Sequence, residues 1–356
     1  MSATTAAVEF DADSSRVRLD ANLEAEIAGY FSARCGGIDA GESDIHEGLR
    51  FLAERGLVGA SELPTQAATV RSVAASCMSS AFALWAQVMV ITYLDRAESA
   101  ELRARASLLR DGTLAGSTAM AGAFQDADGF RPLDVTYRRD GDDLIIDGVI
   151  RWASNLRPDG FIMVLGARDT DGNRVIVAVP SDADGLTVRP FLDLLALGGT
   201  ASSSLELSDV RVPASWIVTE SFDTFVDSVR PTFLLLQSAF CLGLVDAALA
   251  SVATHIDRAY DGFRDEYAAL LSELDELSGR HSRLLTSAPA KRDLIEIRLG
   301  GAALAQAAVA LESRVVGGAG YLANSPTARR LREAAFLPIQ SPTEGHLRWQ
   351  LAALAS

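Results

Sequence analysis

The side chains able to do acid–base, nucleophilic or metal chemistry are few and scattered. The four histidines, His46, His255, His281 and His346, have no partner at metal-ligand spacing, so each reads as a core or solvated residue before a ligand, and no metal is expected. The cysteines, Cys35, Cys77 and Cys241, are odd in number and lack a C-x-x-C pair, which points away from both a disulfide framework and a zinc site. No G-x-S-x-G elbow is present, so a hydrolytic triad has no anchor. Asp169-Thr170-Asp171-Gly172-Asn173 begins like a calcium loop but has no closing Glu, and a hairpin turn explains it better. Gly317-Gly318-Ala319-Gly320 follows a helical stretch instead of a strand, which fails the dinucleotide fingerprint. Lys291 is the sole lysine, so cationic contacts fall to Arg, which suits bidentate binding of carboxylate or phosphate and argues against Schiff-base chemistry.

The chain that positions these groups has 356 residues, 49% hydrophobic and 22% charged, a soluble globular composition with length for two or three packed units. With 32 basic against 47 acidic residues the formal net charge is −15, and no Lys/Arg run is visible; nucleic acid is not an expected partner. Met1 to Ser15 is acidic and lacks the basic and apolar regions of a signal peptide, and with the cysteine usage this reads as cytoplasmic. Val73 to Leu94 is uncharged and long enough to span a bilayer. It holds Ser76, Ser79, Ser80, Gln87 and Thr92 and is flanked closely by Arg71, Asp95 and Arg96, which favours a buried helix. The run from Phe233 to Ala253, interrupted by Gln237 and Asp246, reads the same way, so no membrane span is expected.

Three textures follow one another. From Asp20 to Arg110 apolar residues recur at helical spacing. Between Gly112 and Trp216, short β-rich runs at 134–139, 144–152, 161–168, 174–180 and 205–212 alternate with turn residues, which predicts an antiparallel sheet or barrel. From Phe225 the helical period returns near 230–258, 262–285, 290–316 and 324–336, with a short piece from Pro342 to Ala355. The expected chain is α+β and multidomain, divided at 1–111, 112–219 and 220–356.

Three stretches meet this order of elements with specific residues. Ile146-Asp147-Gly148-Val149-Ile150-Arg151-Trp152-Ala153-Ser154-Asn155 is similar to an "NGxKxWITN" strand. Leu205 to Pro213 is similar to an "FxDVxVP" exit, and Gly317-Gly318-Ala319-Gly320-Tyr321 through Pro326, Arg332-Glu333-Ala334 and Ile339 to "GGxGY…P…RDA…I". In order and at these intervals they resemble the acyl-CoA dehydrogenase superfamily of flavoproteins over nearly the full length. The resemblance implies an N-terminal helical domain, a middle antiparallel β-barrel domain and a C-terminal four-helix bundle. It implies bound FAD, or FMN in its place, with Trp152 and Ser154 against the ring, Ala119 and Met120 in the capping loop, Thr343 near the flavin, and Gly317 and Gly318 near the phosphate–adenosine half across a subunit interface. It further implies a homodimer or homotetramer, an acyl-CoA or carrier-bound acyl substrate, and a flavin reductase or electron-transfer flavoprotein as partner.

The departures bear on chemistry. The family's catalytic Glu aligns with Ser341, followed by Pro342, and the residue before Arg230 is Val229, so a carboxylate is absent from both usual places. Glu344 and Asp227 are the displaced candidates for a base; Ser341-Pro342-Thr343-Glu344 also reads as a capping box with Ser341 at its N-cap, the preferred reading. Arg230 reads either as a group that orients an anionic or carbonyl substrate or as a structural Arg at a helix start, and Arg314 either as a phosphate ligand or as a surface salt-bridging Arg. The family's "TEPGAGSD" loop is represented by 119–126 with its Thr and Ser replaced, and no clear counterpart of "RxxFG" stands around Tyr260 to Arg264. Three functions follow: an FAD-dependent oxidoreductase of the acyl-CoA dehydrogenase type, a two-component flavin-dependent monooxygenase using reduced flavin and O2, and a catalytically silent relative.

Overall fold

The computed structural model describes residues 8–11, 16–60, 62–258 and 261–355; Tyr260 and most of the N-terminal stretch lie outside them. A hairpin of β1 (Val8–Asp11) and β2 (Arg16–Leu19) precedes six helices: α1 (Ala21–Ser32), α2 (Cys35–Asp39), α3 (His46–Ala53), α4 (Leu63–Ala74), α5 (Met78–Asp95) and α6 (Ala100–Arg110). The hairpin was not legible in the sequence. β2 is held from far along the chain, where Ser282 Oγ accepts Val17 N–H at 3.1 Å and Arg16 pairs with Asp275.

Helix α5 is the axle of this half. Every residue from Met78 to Leu94 is buried, so its sequence shows no apolar stripe. The one buried amide within it, Gln87, donates to Leu109 O at 2.7 Å and Leu114 O at 2.8 Å and accepts Gly116 N–H at 2.6 Å, which ties the helix to the start of the sheet.

The sheet has eight strands: β3 (Ala115–Ala119), β4 (Thr136–Asp140), β5 (Asp143–Ala153), β6 (Phe161–Arg168), β7 (Arg174–Pro180), β8 (Leu186–Val188), β9 (Ser203–Val212) and β10 (Ile217–Thr219). Their order is β10-β7-β6-β4-β5-β9-β8, with β3 on β6. Most pairs are antiparallel as the hairpin signals predict; β3–β6 and the single β4–β6 contact are parallel. The stretch read as a cofactor-capping loop instead folds after β3 as helix α7 (Ala121–Ala127). Asp169 closes the β6–β7 turn, its Oδ1 accepting the N–H groups of Asp171 and Asn173 at 2.9 and 2.8 Å, which spends the carboxylate that began the calcium-like motif.

The C-terminal helices are α8 (Phe222–His255), α9 (Arg264–Leu285), α10 (Lys291–Val316), α11 (Pro326–Phe336) and α12 (Glu344–Ala353). Helix α8 begins eight residues before the apolar period suggests, because Pro231 sits inside it and the helix runs through. Gly243 lets α8 cross α4 closely: a Cβ there would lie 2.3 Å from Arg71 O. One turn on, Asp246 takes Arg71 in a fork of 2.6 and 2.9 Å. Among the described residues, two helices, Phe222–His255 and Lys291–Tyr321, are long and apolar enough to cross a membrane, but 83% and 61% of their most apolar windows are buried, as expected of core helices.

Candidate functional site

Two surfaces, one on the sheet and one on the helical bundle, carry the residues singled out by sequence. On the sheet, β5 pairs with β9 through Ile150↔Leu205 and Ala153↔Ser203, so two residues of β5 face one of β9 between those pairs. This bulge turns Trp152 out of the sheet, and its side chain is 66% exposed, which removes the reading as a core aromatic. Past the bulge, Ser154 Oγ is 2.6 Å from Ser202 Oγ, which is 2.7 Å from Thr200 Oγ1, and Thr200 donates to Leu197 O at 2.7 Å. This hydroxyl relay ends on a backbone acceptor, so its polarity is fixed. Thr200 donates outward, Ser202 donates to Thr200, and Ser154 donates to Ser202, which leaves the Ser154 oxygen able to accept from a ligand.

On the bundle, the segment from Leu337 to Ser341 is clamped from beneath by a fully buried guanidinium. Arg298 donates to Leu337 O at 2.7 Å, Gln340 Oε1 at 3.2 Å and Gln237 Oε1 at 3.1 Å, and Gln237 donates to Ser341 O at 3.0 Å. The clamp leaves Ile339 68% exposed, and leaves Ser341 Oγ and Gln340 Nε2 buried without hydrogen-bond partners. The capping box is corrected here. Thr343, not Ser341, caps α12, accepting His346 N–H at 3.3 Å, and Ser341 stands outside the helix.

Most of the other residues expected at the site are already engaged. Arg230 is not free to orient a substrate: its side chain is 4% exposed and both terminal nitrogens reach Asp128, at 3.0 and 3.3 Å. Asp128 also takes Lys291 at 2.6 Å, His346 Nε2 at 3.2 Å and Gln350, so four groups from three helices converge on one buried carboxylate. Burial raises the pKa of that carboxyl, but His346, Arg230 and Lys291 outweigh it and hold the group down at about 2. Glu344 pairs with Arg348 at 2.7 Å on the outer face of α12, and Asp227 is 73% exposed beside Arg230 at 3.4 Å, so neither displaced base is set into a dry pocket. Arg314 is forked onto Glu266 rather than left for phosphate. Met120 is wholly buried and caps α7 through its carbonyl, and Ala119 is buried in β3. Gly317 and Gly318 are exposed in a 3-10 turn, and Gly317 has φ +68°, a conformation that needs glycine.

The groups left open are of the kind that a planar ring with polar edges needs. Trp152 offers a bare aromatic face, Ile339 bare apolar surface, and Ser154, Ser341 and Gln340 hold hydroxyl and amide groups with unspent hydrogen-bonding capacity. A separate cleft of about 800 Å³ lies between α6 and the sheet, beside Trp216 and Phe191. Its arginines, Arg105, Arg157 and Arg189, are each paired with an acid, Glu101, Asp159 and Glu206, and it holds none of the residues above.

No family model matches the chain. A probable acyl-CoA dehydrogenase, YngJ of Bacillus subtilis, is 26% identical over 262 residues, 66% of this chain and 67% of that protein. The bovine mitochondrial short-chain specific acyl-CoA dehydrogenase is 24% identical over 58% of this chain and 55% of its own length, so the match spans little more than half of that relative. A glutaryl-CoA dehydrogenase from Mycobacterium smegmatis in complex with FADH2 superimposes with a TM-score of 0.83 at 17% identity, covering 98% of this chain and 97% of that one. The chain has the acyl-CoA dehydrogenase fold, and the curated proteins it resembles in sequence are acyl-CoA dehydrogenases. Within that fold there is also similarity to a nitrososynthase from Micromonospora carbonacea var. africana, at a TM-score of 0.74 and 22% identity over 94% of this chain and 95% of that one.

Proposed function

We propose that this chain is a flavin-dependent oxidoreductase with FAD between the Trp152 face and the segment at 339–343, and that it transfers oxygen instead of removing an α-proton. The observation carrying the second half is Ser341. By the sequence resemblance it aligns with the family's catalytic carboxylate, and its hydroxyl is buried without a partner. The carboxylates considered for the role are committed: Glu344 to Arg348, Asp227 to solvent and Arg230, and Asp128 to four cationic or donor groups that keep it ionised and too weak to accept a proton. A positioned base contributes roughly 10²–10⁴-fold to such a reaction, so its loss outweighs the likeness of fold.

When bound in reduced form, the flavin would supply two electrons for cleaving O2, one oxygen atom going to substrate and the other leaving as water. The chain's own residues then bind and orient. Trp152 covers one ring face, the Ser154–Ser202–Thr200 relay presents a hydroxyl of set polarity, and Ser341 donates its O–H into a dry site. Thr343 already accepts from His346 N–H and retains its own proton to donate. Similarity to the nitrososynthase supports oxygen transfer on this fold. The runner-up, α,β-dehydrogenation of an acyl thioester, rests on the curated relatives.

The test is anaerobic mixing of the FAD-loaded chain with a panel of acyl-CoAs, then mixing of the dithionite-reduced protein with oxygen. No bleaching in the first step, together with reoxidation slower than that of free reduced flavin in the second, is expected. Bleaching would return the chain to the dehydrogenases, and failure to take up FAD would leave only the silent relative.

A further inference from the structure

The residue after Ser154 is pinned by a buried network whose amide orientations are each fixed by their backbone partners. Gln87 has its amide nitrogen 2.7 and 2.8 Å from two backbone carbonyl oxygens, Leu109 O and Leu114 O, so that end must be the donor. Its Oε1 therefore accepts Gly116 N–H at 2.6 Å and faces the Asn155 amide at 3.3 Å. The group of Asn155 lying against Gln87 Oε1 and Gly116 O, at 3.3 and 2.9 Å, must in turn be its NH2, since a flipped amide would set oxygen against two oxygens. Asn155 Oδ1 is left facing His46 Nε2 at 2.9 Å, and only an N–H can occupy that contact. The other ring nitrogen, Nδ1, is 3.0 Å from Asp44 Oδ1.

A neutral imidazole has one proton and two acceptors competing for it. Asn155 is wholly buried and has no water to turn to, whereas the Asp44 side chain is 47% exposed and can be solvated. The proton therefore stays on Nε2. Burial pushes the His46 pKa down; Asp44 and Asn155 raise it, Arg157 lowers it further, and Arg50 at 3.4 Å draws on the same Asp44 carboxylate. Protonation adds the Asp44 pair and deprotonation releases it. Neither removes the bond to Asn155.

Asn155 itself is held in the left-handed region, φ +65°, with its N–H on Thr200 O at 2.7 Å, and Leu156 N–H on Ala201 O at 3.2 Å. This is the turn that carries Ser154 next to the Ser202–Thr200 relay and follows the bulge that presents Trp152. We infer that His46, on a helix of the N-terminal half, is a positioning residue for the cofactor-facing turn at 152–155, acting through Asn155 as a fixed Nε2–H donor across the pH range in which the protein is folded. The inference rests on the reading of that turn as flavin-facing, but its tautomer and its lock on the turn stand apart from the flavin.

The experiment compares wild type, His46→Leu and His46→Gln by three readouts: the His46 tautomer by ¹⁵N NMR of histidine-labelled protein, amide hydrogen exchange at 154–156, and FAD titration. Wild type is expected to show the Nε2–H tautomer once the ring is neutral. His46→Leu strands a buried oxygen, so exchange at 154–156 accelerates and FAD binds about tenfold more weakly. His46→Gln places an amide donor where Nε2 stood and recovers both. An Nδ1–H tautomer, unchanged exchange and affinity in His46→Leu, or a Gln variant no better than Leu overturns the inference. If His46→Leu does not fold, the tautomer and the Gln variant decide. If wild type takes up no FAD, the flavin reading falls while tautomer and exchange still decide the lock.

Discussion

Arg230 lays both terminal guanidinium nitrogens on Asp128, at 3.0 and 3.3 Å, with the two side chains 4% and 1% exposed. An Arg read from sequence as a substrate handle is thus an internal counter-ion. Asp128→Asn keeps the shape and leaves Arg230 and Lys291 without their charge partner, so unfolding stability should fall by about 3–5 kcal/mol, seen as a lower urea midpoint at unchanged slope. The same carboxyl titrates at about 2 in the folded chain against 3.8 in the reference state. It therefore contributes stability above about pH 4, on the order of 2 kcal/mol, which is lost as pH falls toward 2. Asp128→Asn should flatten the acid limb in that window.

His281 responds to acid at higher pH. Burial pushes its pKa down to about 4, and its Nε2 lies 2.9 Å from Leu235 O, so the neutral ring donates there. Charging it favours the unfolded chain, so its contribution is intact above about pH 6.5 and declines as pH drops toward 4. His281→Gln should lower stability at pH 7 yet show a smaller decline between those limits in denaturant titrations at a series of pH values.

Trp152 is exposed, so Trp152→Ala should change stability by no more than about 0.5 kcal/mol, while FAD affinity drops by about 1 kcal/mol or more from the lost stacking face. A thermal scan and a flavin titration on the same preparation separate the two. Equal FAD affinity in both proteins would remove Trp152 from the ring site.

Ser341→Glu puts a carboxylate where the hydroxyl has no partner. Burying it should cost about 1–3 kcal/mol, and if the segment is the base position, anaerobic bleaching by butyryl-CoA should appear where wild type shows none. Stopped-flow absorbance of the FAD-loaded variant reads this directly.

Arg298→Met would fill the space but leave Leu337 O, Gln340 and Gln237 without their donor, a loss of about 2–4 kcal/mol. Hydrogen exchange should accelerate first at 337–341, before the ends of α8 and α10.

Helix and strand periods were legible because they are local. Helices α9, α10 and α11 fall within a few residues of their sequence signals, and the Asp169 turn closes as its residues suggest. What the sequence did not show depends on partners far along the chain. The β1–β2 hairpin is four residues a strand and is held by Asp275 and Ser282, more than 250 residues away. Asp128 has no local mark, since its partners Arg230, Lys291, His346 and Gln350 sit on three later helices. His46 and Asn155 were both named, the one as a core or solvated histidine and the other as the end of a strand motif; their 2.9 Å contact across 109 positions carried no local signal. The cap of α12 was misplaced by two residues because Ser341 and Thr343 are chemically equivalent as caps and only backbone geometry chooses between them.

The bulge in β5 adds a side chain to the outer surface at no cost to the strand's register. Arg151 and Trp152 are both exposed and together oppose a single residue of β9, so deleting Trp152 would leave Arg151 alone opposite that residue, with Leu144–Ile146 and Ala153 still buried. A one-residue shortening there would strip the surface of its indole and leave the interior as it was.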